Sequence, residues 1–215
     1  MNGGIVRTAG PAGAQGDGPV PAGPQDDAGA DAPKGRGTLK KTVVMVGMMG
    51  AGKTAVGKAL AHRLGVPFAD SDAEIEAAAN MSIPEIFARD GEAFFRRKEA
   101  QVISRLLADR SGILSTGGGA FLAESNRRMI SDRGVSVWLD ADLDTLWNRV
   151  RHKDSRPLLR TPDPRGALTR LYEQRVPIYR LADIAVTSDA QTSVDAMANR
   201  VIDALATRPD VLETA

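Results

Sequence analysis

The 215-residue sequence predicts an α/β protein: a short parallel sheet of about five strands with helices on both faces. Three observations carry this expectation. Short apolar runs alternate along the chain with longer stretches of helical periodicity, the pattern of βαβ units. The runs are continuously apolar rather than alternating, as strands buried on both faces are. The first of them leads through a glycine-rich loop directly into a helix, the usual architecture of an anion-binding turn.

The first 38 residues stand apart. They hold 10 Gly, 7 Ala and 5 Pro, with Ile5, Val6 and Val20 the only large aliphatics beyond the initiating methionine. So little apolar surface cannot offset the entropy of ordering the segment, which predicts a disordered tail over 1–38. A transit peptide would be rich in Arg and Ser and poor in acids. Here Arg7 and Arg36 are the only arginines, Ser is absent, and Asp17, Asp26, Asp27 and Asp31 intrude. The folded domain is expected over 39–210, with 211–215 as a C-terminal tail.

Order begins near Lys40. Lys41–Val46 reads as a buried strand ended by glycine. Over 53–64, Val56, Leu60 and Leu64 recur on one helical face. Val66–Ala69 is a second strand. Helical patterns follow at 72–79, 83–89 and 92–109, the middle one opening on Ser82-Ile-Pro-Glu85, with capping-box spacing and Pro84 in the first turn. Gly112–Ser115, Val135–Leu139 and Ile184–Thr187 are the remaining strands. Helices at 123–132, 142–150, 165–175 and 191–206 connect them.

Composition excludes several functions. A net charge of +1 argues against general affinity for nucleic acid or anionic membrane. The absence of cysteine removes disulfide frameworks, thiolate metal sites and a Cys nucleophile. No apolar run approaches the ~20 residues that span a bilayer, and the N-terminus lacks the apolar core of a secretory signal. A cytoplasmic protein is the plain reading. With aromatics at only 4 %, the core must be built from Leu, Ile, Val, Ala and Met.

Gly47-Met-Met-Gly-Ala-Gly52-Lys53-Thr54 matches the phosphate-loop pattern GxxxxGK[ST] in full. Glycines at Gly50 and Gly52 let the backbone curl so that successive N–H groups, with Ala51 and Ala55 among them, face phosphate oxygens at a helix N-terminus. Lys53 should reach the β- and γ-phosphates and the Thr54 hydroxyl should ligate Mg²⁺. The pattern specifies nucleotide binding, not a reaction. GTPases share it, but an NKxD-like base-reading motif is absent.

Asp70-Ser-Asp72 closes the second strand, where ligands bind in a doubly wound sheet. One carboxylate could hold Mg²⁺ through water and the other accept a hydrogen bond from an acceptor hydroxyl. Taken alone, the residues fit equally well an ordinary cap of the next helix by Ser71 or Asp72. Phe94-Phe-Arg96-Arg97-Lys98-Glu99 places three cations and an acid in one helix. That is usually a solvated face, although adjacent arginines point in different directions and a guanidinium grips a carboxylate well. Gly117-Gly118-Gly119 follows a strand and would let backbone approach a ligand closely. The basic, proline-punctuated stretch from Arg149 through Arg156 to Gly166 is equally a solvated loop or a lid that closes over polyphosphate. His62, His152, Trp138 and Trp147 are read as incidental or packing residues.

Taken together, the phosphate loop, Asp70-Ser-Asp72, Phe95-Arg96-Arg97-x-Glu99, Gly117–Gly119, Arg156-Pro-Leu-Leu159 and Arg175-x-Pro177-x-Tyr179 resemble, in order and spacing, the shikimate kinase family, over about residues 40 to 205. The resemblance implies a three-layer α/β/α P-loop kinase fold with a mobile lid at about 151–166. It implies transfer of the γ-phosphate of ATP to the 3-hydroxyl of shikimate, with Mg²⁺, in the pathway to chorismate and the aromatic amino acids. By family pattern Asp72 binds the substrate hydroxyls and serves as base, and Asp70 stands near the magnesium shell through water. Arg96 and Arg175 grip the carboxylate, with Glu99 orienting Arg96, and Gly117, Gly118 and Gly119 offer backbone contact to the substrate. Arg156 reaches the phosphates and, with Lys53, belongs to the catalytic set. Arg149 lies near the adenine. A monomer with small-molecule partners only is expected. Ser188-Asp-Ala-Gln191 offers no clear equivalent of the family's adenine contact, which leaves that wall open. The nearest rival is a gluconate kinase of the same fold; a nucleotide-binding regulatory module would be favoured only if Lys53, Asp72 or Arg156 were missing.

Overall fold

A computed structural model describes residues 37–108, 111–152, 157–159 and 161–214. Along the chain run β1 (Thr38–Leu39), β2 (Thr42–Val46), α1 (Lys53–Leu64), β3 (Phe68–Asp70), α2 (Ser71–Ala79), α3 (Ile83–Ala108), β4 (Ile113–Ser115), α4 (Glu124–Arg133), β5 (Gly134–Ala141), α5 (Leu143–Val150), α6 (Pro164–Tyr179), β6 (Ile184–Ser188), α7 (Val194–Ala206) and β7 (Leu212–Glu213). Single 3₁₀ turns lie at Ala120–Leu122 and Pro157–Leu159.

Five strands form one sheet in the order β3-β4-β2-β5-β6, and every neighbouring pair is parallel. All five residues of β2 are buried, which is why the run reads as continuously apolar. Helices α1 and α7 pack on each other, α1 also against β2, β3 and β4 and α7 against β6, while α3 and α4 pack together with α4 on β5. The result is the expected three-layer α/β/α arrangement. Chain progression reverses at β2, between its neighbours β4 and β5, and the carboxyl end of a strand at such a switch point is where α/β sheets bind ligands.

Helix α3 contains the break that its sequence announces: Gly91 has φ 80 and ψ 168, a conformation an L side chain rarely tolerates. The two halves fold back on α2 around a small separate core of Ile75, Ile86 and Phe95, the rings of Phe87 and Phe95 lying 4.7 Å apart. Burial of each such side chain contributes roughly 1.5–3 kcal/mol. This cluster fixes the helices from which Asp72 and Arg96 project.

Three boundaries differ from expectation. Helix α6 runs on past residue 175 to Tyr179, through Pro177; proline removes one N–H donor, but Tyr179 is completely buried and anchors the last turn. Residues 211–214, expected as a tail, are seated: Val211 and Leu212 are buried and β7 pairs antiparallel with β1, Thr38 opposite Glu213 and Leu39 opposite Leu212. Thr38, expected in the N-terminal tail, therefore belongs to the fold. The rest of that tail, residues 1–36, lies outside the described residues. No helix among the described residues is long and apolar enough to cross a membrane.

Candidate active site

The loop after β2 is shaped by its own geometry. Gly50 has φ 84 and Gly52 φ 94, and a Cβ on Gly50 would stand 2.6 Å from Val150 Cγ1 of α5. Gly52 caps α1 in the left-handed conformation, and Val56 N–H donates to its carbonyl. The Lys53 ammonium donates to the carbonyls of Gly47 at 2.9 Å and Met48 at 3.0 Å, bending back over the loop it follows.

Asp70 caps the next helix, the commonplace alternative, and also reaches the phosphate loop. Its Oδ1 accepts from the Asp72 N–H at 3.1 Å and so caps α2, in place of Ser71 or Asp72. Its Oδ2 accepts from the Thr54 hydroxyl at 2.9 Å. Ser115 Oγ lies 3.3 Å from the same hydroxyl, brought there because β3 and β4 pair Asp70 with Ser115. These donors are all oxygens, which suits a hard cation. Among the described residues no cluster of three or more His, Cys, Asp or Glu side chains could cage a metal. The oxygens of Thr54, Asp70 and Ser115 would suit Mg²⁺ that arrives with phosphates and water.

Two residues further on, Asp72 is in a different situation. Its Oδ1 is buried without a hydrogen-bond partner. Burial above all, reinforced by Asp70 and Glu76 and opposed by Lys53 and Arg96, pushes its carboxyl up to about 6.

Each of the three consecutive glycines faces charged or polar groups. A Cβ on Gly117 would stand 2.6 Å from Asp72 Oδ1; one on Gly119 would overlap the Arg96 guanidinium; one on Gly118 would sit 3.6 Å from Arg175 Nη1 and 3.7 Å from the Tyr179 hydroxyl. Asp72, Arg96 and Arg175, on three different helices, therefore converge on one short run of bare backbone. Arg96 is held by Glu99 at 2.8 Å and Glu92 at 3.1 Å, Glu99 being almost fully buried. Burial raises the Glu99 carboxyl, with the Arg96 guanidinium working against that shift.

Gly50, Ala51, Gly52, Lys53, Thr54, Ala55, Asp70, Asp72, Gly117, Gly118 and Arg149 all border one cavity of about 610 Å³, within the range that holds small ligands. Arg96, Gly119 and Arg175 adjoin it through the glycine run. Arg156, with the rest of 153–156 and residue 160, lies outside the described residues; 164–166, assigned to the lid, are the first turn of α6. The far wall of the cavity is formed by Ser188, Ala190 and 192–194 with Met197, of which the sequence reading reached 188–191 without finding a clear contact. Arg149 closes it by donating to Ser188 Oγ at 3.2 Å and to the Asp189 carbonyl at 2.9 Å. Nothing in the local pattern of these small residues marks them, since they meet only in space. Ser115 could have been found, because it ends a strand just before the glycine run.

The family model of shikimate kinase matches residues 49–206. The chain belongs to the shikimate kinase family. Among curated relatives, shikimate kinase from Ruegeria pomeroyi is 73% identical over 179 residues, spanning 83% of this chain and 92% of that protein; the one from Cereibacter sphaeroides is 70% identical over 176 residues, 82% of this chain and 88% of that protein. Among solved structures, shikimate kinase from Acinetobacter baumannii in complex with shikimate aligns with TM-score 0.74 at 35% identity, over 78% of this chain and 93% of that one. A gluconokinase from Sinorhizobium meliloti shares the fold alone, at 20% identity and TM-score 0.54. Membership of the shikimate kinase family makes the protein a P-loop kinase.

Proposed function

We propose that the chain phosphorylates the 3-hydroxyl of shikimate with ATP, giving shikimate 3-phosphate and ADP. The observation that carries this reading is the convergence of one raised carboxyl and two guanidinium groups on the 117–119 backbone beside a phosphate loop. A substrate with a carboxylate at one end and vicinal hydroxyls at the other complements that arrangement. Arg96 and Arg175 would hold the carboxylate by charge-assisted hydrogen bonds. The substrate is thereby oriented with its 3-hydroxyl at Asp72, whose burial makes it a better proton acceptor than an ordinary surface carboxylate. As the hydroxyl oxygen bonds to the γ-phosphorus, the bond to the β–γ bridging oxygen breaks, the proton passes to Asp72, and ADP departs with the released electron pair. The loop amides and Lys53 would cradle the phosphates throughout, and Arg156 would join them from the lid. Thr54 and, through water, Asp70 would hold Mg²⁺, which screens the phosphate charge when bound.

On the nucleotide side, Arg149 and the Ser188–Val194 wall offer the space for adenine. The chain would act as a cytoplasmic monomer, and the near-zero net charge accords with the lack of nucleic-acid or membrane partners. A coupled ADP-release assay with a substrate panel tests the reading: turnover is expected with shikimate and not with gluconate. Turnover with gluconate or another hydroxy acid alone would overturn the substrate assignment.

A further inference from the structure

Tyr179 is not one of the residues lining the cavity, yet its polar end stands among those proposed to receive the substrate carboxylate. It lies four residues after Arg175, on the same face of α6. Its hydroxyl donates to the Gly118 carbonyl at 2.5 Å, and a Cβ placed on Gly118 would stand 3.7 Å from that hydroxyl and 3.6 Å from Arg175 Nη1, so both polar groups flank one peptide. A guanidinium can only donate, and the phenol, its single proton given to Gly118, presents oxygen lone pairs toward Arg175.

The ring is equally constrained. It is fully buried and stacks on Trp138 with centroids 6.4 Å apart and planes 24° off parallel. Trp138 in turn packs against Gly47 at the start of the phosphate loop, its Cδ1 3.2 Å from where a Cβ on that glycine would be. Burial pushes the phenol up to about 12, Arg175 opposing the shift, so the hydroxyl stays protonated and donating at every working pH. The helix also continues through Pro177, giving up a backbone donor, and only that continuation sets Tyr179 one turn beyond Arg175. A phenylalanine would fill the same space without the bond to Gly118 or the lone pairs that face Arg175.

We infer that Tyr179 is a positioning residue that holds Arg175 and the Gly118 peptide in fixed register, so that one carboxylate meets both. The inference rests on the proposed carboxylate role of Arg175. It would act on acceptor binding and leave nucleotide binding alone, because the Tyr179 ring stacks on Trp138, which packs on Gly47, and a phenylalanine ring in place of the phenol would still support that stack.

Steady-state kinetics of the full-length Tyr179→Phe protein, with thermal melting in parallel, test it. The expected result is a rise in KM for shikimate of about threefold to tenfold, the range for a lost hydrogen bond, with KM for ATP unchanged. In an Arg175→Ala background the same substitution should add little further loss, since the group it positions is gone. Unchanged shikimate KM in Tyr179→Phe would overturn the inference. So would a parallel rise in both KM values with a large drop in melting temperature, the mark of a merely structural residue, or full additivity with Arg175→Ala. If Arg175→Ala itself leaves shikimate KM unaltered, the carboxylate reading of Arg175 fails first and takes the inference with it. A normal effect of Arg175→Ala beside a silent Tyr179→Phe removes the inference alone.

Discussion

At the scale of single side chains, Asp70 and Asp72 stand two residues apart and are given opposite properties by their surroundings. Asp70 commits both oxygens, one to the Asp72 N–H and one to Thr54. Asp72 has a buried oxygen with no partner, and burial is the main reason its carboxyl titrates near 6. A carboxyl whose folded value lies above its unfolded one contributes stability below the ordinary carboxylate range, and that contribution is lost as pH rises through the folded value. Raising the pH from 4 to 7 should therefore cost the ligand-free protein up to about 3 kcal/mol through this one group. Urea titrations at several pH values check this: the slope should be present in the native protein and shallower in Asp72→Asn. An unchanged slope in the variant would assign the titration elsewhere. The same group predicts that kcat/KM for shikimate rises with pH through about 6, as the base form becomes available.

At the scale of elements, the glycine run after β4 is the piece that would assemble the proposed acceptor site, because three helices deliver a side chain to it. Gly119→Ala would place a methyl group on the Arg96 guanidinium and displace it from its seat between Glu92 and Glu99. Shikimate KM should rise by roughly one to two orders of magnitude, the cost of a mis-set charged pair, while ATP KM holds. Equal effects on both, read in the same coupled assay, would contradict that division. Much at this scale was legible in the sequence, and for physical reasons. The central strands β2, β4 and β5 are largely apolar runs because both faces are covered, and the phosphate loop is legible because anion binding by backbone dictates where glycines must stand. The end of α6 was misread at residue 175, since Pro177 argues locally for a stop and only the burial of Tyr179 overrides it. Composition likewise could not choose between Arg96 and Arg97. They differ by roughly a third of a helical turn, which sends Arg96 to Glu99 and Gly119 while Arg97 lies over Phe94 at 5.9 Å. The 188–197 wall was invisible because small, ordinary residues become a surface only when β6 and α7 are set beside α5.

At the scale of the whole molecule, the domain is closed by contacts remote from any chemistry. Val211 and Leu212 are buried, Val211 accepts from the Lys40 N–H at 2.8 Å, and Lys41 pairs with Asp210 at 2.9 Å. The exposed ion pair adds little; the two aliphatic side chains matter more, at roughly 1.5–3 kcal/mol each. Ending the chain after Asp210 should lower the melting temperature by about 10 °C, measured by scanning calorimetry, whereas a 211–215 segment that were merely a tail would be removed without effect. The pairing of Thr38 with Glu213 has one more implication. The two ends of the domain lie side by side on the surface, so a linker of a few residues could join them and a new opening be cut in a distant surface turn. Such a circularly permuted chain would keep every contact of the acceptor site while reversing which half of it is synthesised first.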